Sequence, residues 1–129
     1  LVETLQAAGV DTTGMVIGDC SGLDENNRIP PRVLLETMQA SFDQPGTAVL
    51  TRLLPVAAVS GTMTGRLEGN ANYTAKTGSL GRTSTIAGIG TTRSGAPLYV
   101  LVGVDNILDN SSWFAREPID AFLEGLFAL

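Results

Sequence analysis

The residues of this chain best suited to chemistry are Lys76-Thr77-Gly78-Ser79, because Lys76 is the only lysine in 129 residues and stands in a run of small ones, Thr74 to Gly81. Every other basic residue is an arginine. An ε-ammonium is a compact charge that can hold a carboxylate and also reach a neighbouring hydroxyl, whereas a planar guanidinium fills more of a cleft. Thr77 offers a hydroxyl to the same carboxylate, and Gly78, with no side chain, admits a ligand close to the backbone. If the run is a strand, alternation sends Lys76 and Thr77 to opposite faces, so both serve one ligand only where it lies along the strand's edge. There the amide N–H of Ser79 is a donor for an oxyanion, a contact typically worth roughly 3 kcal/mol in a transition state. The competing reading is a strand end with one solvated lysine, since a tripeptide of common residues is weak by itself.

The remaining inventory removes other chemistries. The chain has no histidine, which excludes Ser-His-Asp and Cys-His arrangements and most zinc and iron sites within it. Acid-base work is left to carboxylates, Tyr73, Tyr99, Cys20 and Lys76. Cys20 is alone, so no intrachain disulfide forms, and it is expected as a small buried residue and not a nucleophile. Asp19, Asp24 and Glu25 lack the spacing of a calcium loop and read as a solvated acidic turn; neither a metal nor a cofactor is expected. Gly78-Ser79-Leu80-Gly81 and Gly88-Ile89-Gly90 lack the strand, glycine turn and helix order of a dinucleotide site. Thirteen acidic residues against eight scattered basic ones, a net charge of -5, argue against nucleic acid as a partner.

The elements that must position these residues follow from periodicity. A hydrophobic content of 43% with 16% charged residues describes one globular domain or a piece of one. Leu1 to Ala8 reads as the end of a helix closed by Gly9, and Met15 to Ile17 as a short strand before a loop rich in Gly, Asp and Asn. Pro30 and Pro31 suit a first helical turn, and Leu34, Leu35, Met38 and Phe42 recur at helical spacing. Pro45-Gly46 ends that helix, and Thr47 caps a second carrying Val49, Leu50, Leu53 and Leu54. Val56 to Asn70 shows no period and reads as a loop with a turn of helix. Three strands then follow, Asn72 to Ser79, Thr83 to Thr91 and Leu98 to Val104, joined by links short enough to make an antiparallel meander. Ile119, Phe122, Leu123, Leu126 and Phe127 form a final helical stripe that covers one sheet face, with Pro118 starting that helix or kinking one begun near Ser112. The predicted class is α+β, an antiparallel sheet flanked by helices.

Lys-Thr-Gly is also the third element of the penicillin-binding and class A β-lactamase motif set, and three ordered stretches here resemble one family of that kind. Gly18-Asp19-Cys20-Ser21-Gly22-Leu23 with Asn27-Arg28 is similar to its Asp-Gly-Ser-Gly-Leu segment. Leu54-Pro55-Val56-Ala57 with Ser60-Gly61-Thr62-Met63 resembles the segment before its active-site strand. Ala75-Lys76-Thr77-Gly78-Ser79-Leu80, followed by Ala87-Gly88, looks like that strand and the next. The family is the serine D-alanyl-D-alanine carboxypeptidases of the peptidase S13, or DacB-like, type. The resemblance spans nearly all 129 residues and corresponds to the C-terminal part of a penicillin-binding, β-lactamase-like transpeptidase domain.

What the resemblance implies is a serine enzyme that cleaves the terminal D-Ala-D-Ala amide of a peptidoglycan stem peptide through an acyl-enzyme, with β-lactam antibiotics acylating the same serine. Lys76, Thr77, Gly78 and Ser79 would bind substrate, with Lys76 and Ser79 in the catalytic set and the Ser79 N–H as half of an oxyanion hole. Its Ser-x-x-Lys and Ser-x-Asn motifs do not occur here: Tyr73 precedes Lys76 by three, and no serine stands two residues ahead of an asparagine. The chain is expected to be an incomplete fragment whose partner is the N-terminal part of the same protein, placed outside the cytoplasm. Cys20 stands where the family has glycine, so a positive φ there would force a different loop. Two alternatives stay open, a non-catalytic cell-wall peptide-binding module of the same fold and an unrelated small α+β interaction domain with Lys76 in solvent.

Overall fold

Residues rich in β-branched side chains form the sheet that organises the second half of the chain. In the computed structural model, which describes residues 1–42, 48–70, 72–108 and 111–129, β1 runs Thr74–Leu80, β2 Thr83–Thr91 and β3 Pro97–Val104. They lie antiparallel in the order β1-β2-β3, with Ala75 opposite Gly88 and Gly88 opposite Val100. Burial alternates strictly along β2, where Ser84, Ile86, Gly88 and Gly90 point inward, as a half-covered sheet requires. The meander and the α+β class are as the sequence predicts.

Helices precede and follow the sheet: α1 (Val2–Ala7), α2 (Pro31–Phe42), α3 (Ala48–Leu53) and α4 (Arg116–Phe127). The chain divides into two compact units, Leu1–Ala48 and Val49–Leu129. In the second, Ile119, Leu123 and Phe127 of α4 join Ala75, Ile86 and Val100 in one core, each fully buried aliphatic or aromatic side chain contributing roughly 1.5–3 kcal/mol. Phe122 departs from the predicted stripe and is exposed, because it lies on the flank of the face that Ile119, Leu123 and Phe127 share. Pro118 does not start the helix. It is the third residue of α4, where no backbone N–H needs an intrahelical acceptor. A 3-10 turn, Ser112–Ala115, leads into it.

In the first unit Val10 and Val33 are buried. Arg32 bridges Asp11 at 3.2 Å and Glu36 at 2.9 Å, and the Asp11 amide donates to Glu36 at 2.9 Å; these are exposed contacts of small energetic weight. The expected strand at Met15 to Ile17 is reduced to a single bridge between Val16 and Arg28, since no further partner extends it. α2 ends at Phe42 as expected, whereas Pro45-Gly46 and the Thr47 cap lie outside the described residues. α3 stops at Leu53, one residue short of Leu54.

The acidic loop is bonded to itself. Asp19 accepts from the Ser21 hydroxyl, the Asn27 amide at 2.8 Å and the Gly22 N–H at 3.2 Å, while Asp24 accepts from the Asn26 N–H at 2.8 Å. The Ser21 and Asn27 hydrogen bonds hold the Asp19 carboxyl below its ordinary range. Cys20 corrects an expectation: it is exposed, not buried, because this loop supplies no apolar surface to cover it. It has no positive φ either; that conformation falls on Gly22 at 79°, so a side chain at position 20 is free of backbone strain.

Candidate active-site strand

β1 is an edge strand, and the segment before it decides which of its backbone groups face outward. The Ala57 N–H donates to the Tyr73 carbonyl and the Ala75 N–H to the Pro55 carbonyl, each at 2.9 Å, around a bridge between Val56 and Thr74. Tyr73 and Ala75 therefore turn their N–H and C=O away from β2, and by alternation so do Thr77 and Ser79. Among the described residues no backbone group pairs with β1 on that side beyond Ala75. The Ser79 N–H thus points along an open edge, as the sequence reading requires.

Two side chains meet the same edge. Lys76 leaves the exposed face of the strand, yet its Nζ donates to the Thr77 carbonyl at 2.5 Å, which brings the ammonium round to the outward side. Thr77, on the opposite face, donates from Oγ1 to Thr62 Oγ1 at 2.7 Å. A fixed positive charge, a hydroxyl and an unpaired N–H within one short edge suit a carboxylate or an oxyanion. At Gly78 a Cβ would lie 2.6 Å from Thr85 Oγ1 across the pair with β2, so a larger residue there would have to turn the Thr85 hydroxyl aside.

The loop that carries Thr62 is firmly held. The Val56 N–H donates to Ser60 Oγ at 2.9 Å, and a 3-10 turn at Gly61–Met63 drives Met63 into the core with no exposed surface. Arg66 then clamps Asp120 of α4 with two hydrogen bonds, Nε to Oδ2 at 2.9 Å and Nη2 to Oδ1 at 2.7 Å. Such a bidentate pair fixes orientation as well as distance. Sequence reasoning assigned Thr62 no role; the only signal was its place in the stretch before the strand.

Tyr73, an acid-base candidate by elimination, is removed from that list. It has no exposed surface, its ring stands 4.8 Å from Phe127, and burial pushes its hydroxyl well above the ordinary tyrosine range. An open depression lined by Asn72, Thr91, Arg93, Glu124 and Phe127 lies toward the other end of the strand and includes none of Lys76 to Ser79. Among the described residues no group of three or more His, Cys, Asp or Glu could hold a metal, and no helix is long and apolar enough to cross a membrane.

A family described as D-Ala-D-Ala carboxypeptidase 3 (S13) matches residues 1–126. Carboxypeptidase DacB of Mycolicibacterium smegmatis is 38% identical over 130 residues, covering 94% of this chain and 27% of its own length. A carboxypeptidase of Mycobacterium tuberculosis is 42% identical over 107 residues, covering 76% of this chain and 23% of its own length. Penicillin binding protein 4 (dacB) of Haemophilus influenzae, solved in complex with a β-lactam, superposes with a TM-score of 0.73 at 24% identity, over 93% of this chain and 31% of that one. The chain thus spans about a quarter of the length of the curated relatives it matches.

Proposed function

We propose, from the premise that this chain belongs to the D-Ala-D-Ala carboxypeptidase 3 (S13) family, that it forms the C-terminal part of a serine-type D-Ala-D-Ala carboxypeptidase. Family membership sets aside the unrelated interaction domain. The substrate is a peptidoglycan stem peptide, and the enzyme works on the cell-wall side of the membrane. A serine supplied by the N-terminal part of the same protein attacks the carbonyl of the penultimate D-Ala, and the C–N bond breaks. D-Alanine leaves with a proton on its amine, and water then hydrolyses the ester.

In this scheme β1 is the wall that reads the end of the peptide. The Lys76 ammonium and the Thr77 hydroxyl bind the terminal carboxylate, with Gly78 and Ser79 along the same line, and the Ser79 N–H is one donor to the oxyanion of the tetrahedral intermediate. The observation that supports this reading is that Lys76 Nζ sits on the Thr77 carbonyl and Thr77 Oγ1 on Thr62, beside a Ser79 N–H with no backbone partner among the described residues. A β-lactam presents a carboxylate beside a reactive carbonyl, so it inhibits by occupying the same wall and acylating the same serine.

Incubation with a fluorescent penicillin tests the proposal. The 129-residue chain alone takes no covalent label, whereas the longer protein labels stoichiometrically and Lys76→Gln slows that labelling at least tenfold, a loss near 1.4 kcal/mol. Stable labelling of the chain alone would sink the fragment reading. A longer protein that binds stem peptide without labelling would instead be a non-catalytic module of this fold.

A further inference from the structure

The geometry points to Thr62 as a positioning residue for carboxylate recognition, acting through Thr77. It rests on the reading of the β1 edge as the carboxylate wall. Thr62 Oγ1 lies 2.7 Å from Thr77 Oγ1 and, in this structure, accepts the Thr77 proton. A hydroxyl has one proton and two lone pairs, while a carboxylate only accepts. When a carboxylate arrives, Thr77 must turn its single proton to it, which leaves a Thr77 lone pair facing Thr62. The Thr62 hydroxyl can then donate into that lone pair, reversing the direction of the hydrogen bond without moving either oxygen. The two threonines form a short relay with the Thr77 proton aimed along the edge.

Such a relay needs a fixed anchor, and Thr62 has one. Its neighbour Met63 is fully buried in the core, the 3-10 turn is closed by the Met63 N–H donating to the Ser60 carbonyl at 3.1 Å, and Gly61 takes a positive φ of 55° with Pro55 packed where a side chain would begin. Three residues past the turn, Arg66 ties the loop to α4 through Asp120. The Thr62 side chain itself is on an exposed residue, so changing it leaves the core untouched.

The test is steady-state hydrolysis of an N-acylated tripeptide ending in D-Ala-D-Ala by the longer protein carrying Thr62→Val, Thr62→Ser and, in parallel, Thr77→Val. One neutral hydrogen bond corresponds to about a two- to tenfold change, so Thr62→Val raises KM by that factor with kcat within twofold, and Thr62→Ser restores KM. An unchanged KM for Thr62→Val, an equal fall in kcat, or failure of serine to rescue overturns the relay. If Thr77→Val raises KM while Thr62→Val does not, only the role of Thr62 falls. If neither variant moves KM, the carboxylate wall falls with it.

Discussion

Replacing Gly88 by alanine tests whether β1 and β2 are as close as the site requires. A Cβ at Gly88 would stand 2.2 Å from the Thr74 carbonyl oxygen, 2.8 Å from Ala75 Cα and 2.7 Å from Ala75 Cβ. Two of these atoms are backbone, so no side-chain rotation relieves them and β1 itself must move. Forcing extra volume into a packed site costs typically 1–3 kcal/mol, and rigid obstacles place this substitution near the upper end, about 3 kcal/mol. Gly88 has no positive φ, so alanine also recovers roughly 0.4–1 kcal/mol by restricting the unfolded chain. The net expectation is a loss of about 2 kcal/mol. Gly125 in α4 is the control, because a Cβ there meets nothing within 4 Å and alanine in a helix is favoured over glycine by about 1 kcal/mol. The same chemical change should therefore move the urea midpoint in opposite directions at the two sites. With a slope of about 1.5 kcal/mol per molar urea, Gly88→Ala shifts the midpoint down by roughly 1 M. A Gly88→Ala protein as stable as the parent would refute the close approach and, with it, the placement of Lys76 and Thr77 on this edge.

Tyr73 Oη is buried with no hydrogen-bond partner among the described residues, and an unsatisfied buried hydroxyl costs about 1–3 kcal/mol. Tyr73→Phe is expected to raise thermal stability by roughly 1 kcal/mol in calorimetry, and a lower Tm would reveal a partner for the hydroxyl. Asp19 has a folded-state pKa below its ordinary value because of its Ser21 and Asn27 hydrogen bonds. Its contribution to stability is therefore fully present above the unfolded aspartate pKa, about 3.9, and is lost as pH falls through the lower folded value. A carboxyl carbon NMR titration should show Asp19 below the usual range, moving up toward the ordinary value in Ser21→Ala while the Asn27 hydrogen bond keeps it lowered; an ordinary value in the parent protein contradicts the loop geometry.

The sheet was legible in the sequence because local signals agreed. β2 is bounded by turn residues on both sides, and its observed limits, Thr83–Thr91, coincide with the run of β-branched and small residues. The stripe of α4 was legible for the same reason, apart from Phe122. Met15 to Ile17 failed because an apolar triplet needs a neighbouring strand, and only Val16 and Arg28 pair. The candidate site was legible as residue types but not as directions. Alternation gives the faces of β1, yet which backbone groups look outward depends on Pro55 and Ala57 pairing with Ala75 and Tyr73, a long-range contact that no local pattern encodes. The link from Thr62 to Thr77 was hidden by the same distance in sequence.

The glycine of Lys-Thr-Gly has a close neighbour across the sheet. A Cβ at position 78 would meet Thr85 Oγ1 at 2.6 Å, a side-chain hydroxyl that rotation of Thr85 can withdraw, unlike the backbone atoms that face Gly88. Lys76 is on the exposed face with no packing demand for a lysine, and the chain elsewhere uses arginine for every positive charge. Thr77 spends its hydroxyl on another hydroxyl, Thr62, a hydrogen bond that can reverse direction for an arriving acceptor, as one to a backbone carbonyl could not. The contacts thus separate the motif: Gly78 meets Thr85 across the sheet, while Lys76 and Thr77 make polar contacts away from β2, to the Thr77 carbonyl and to Thr62.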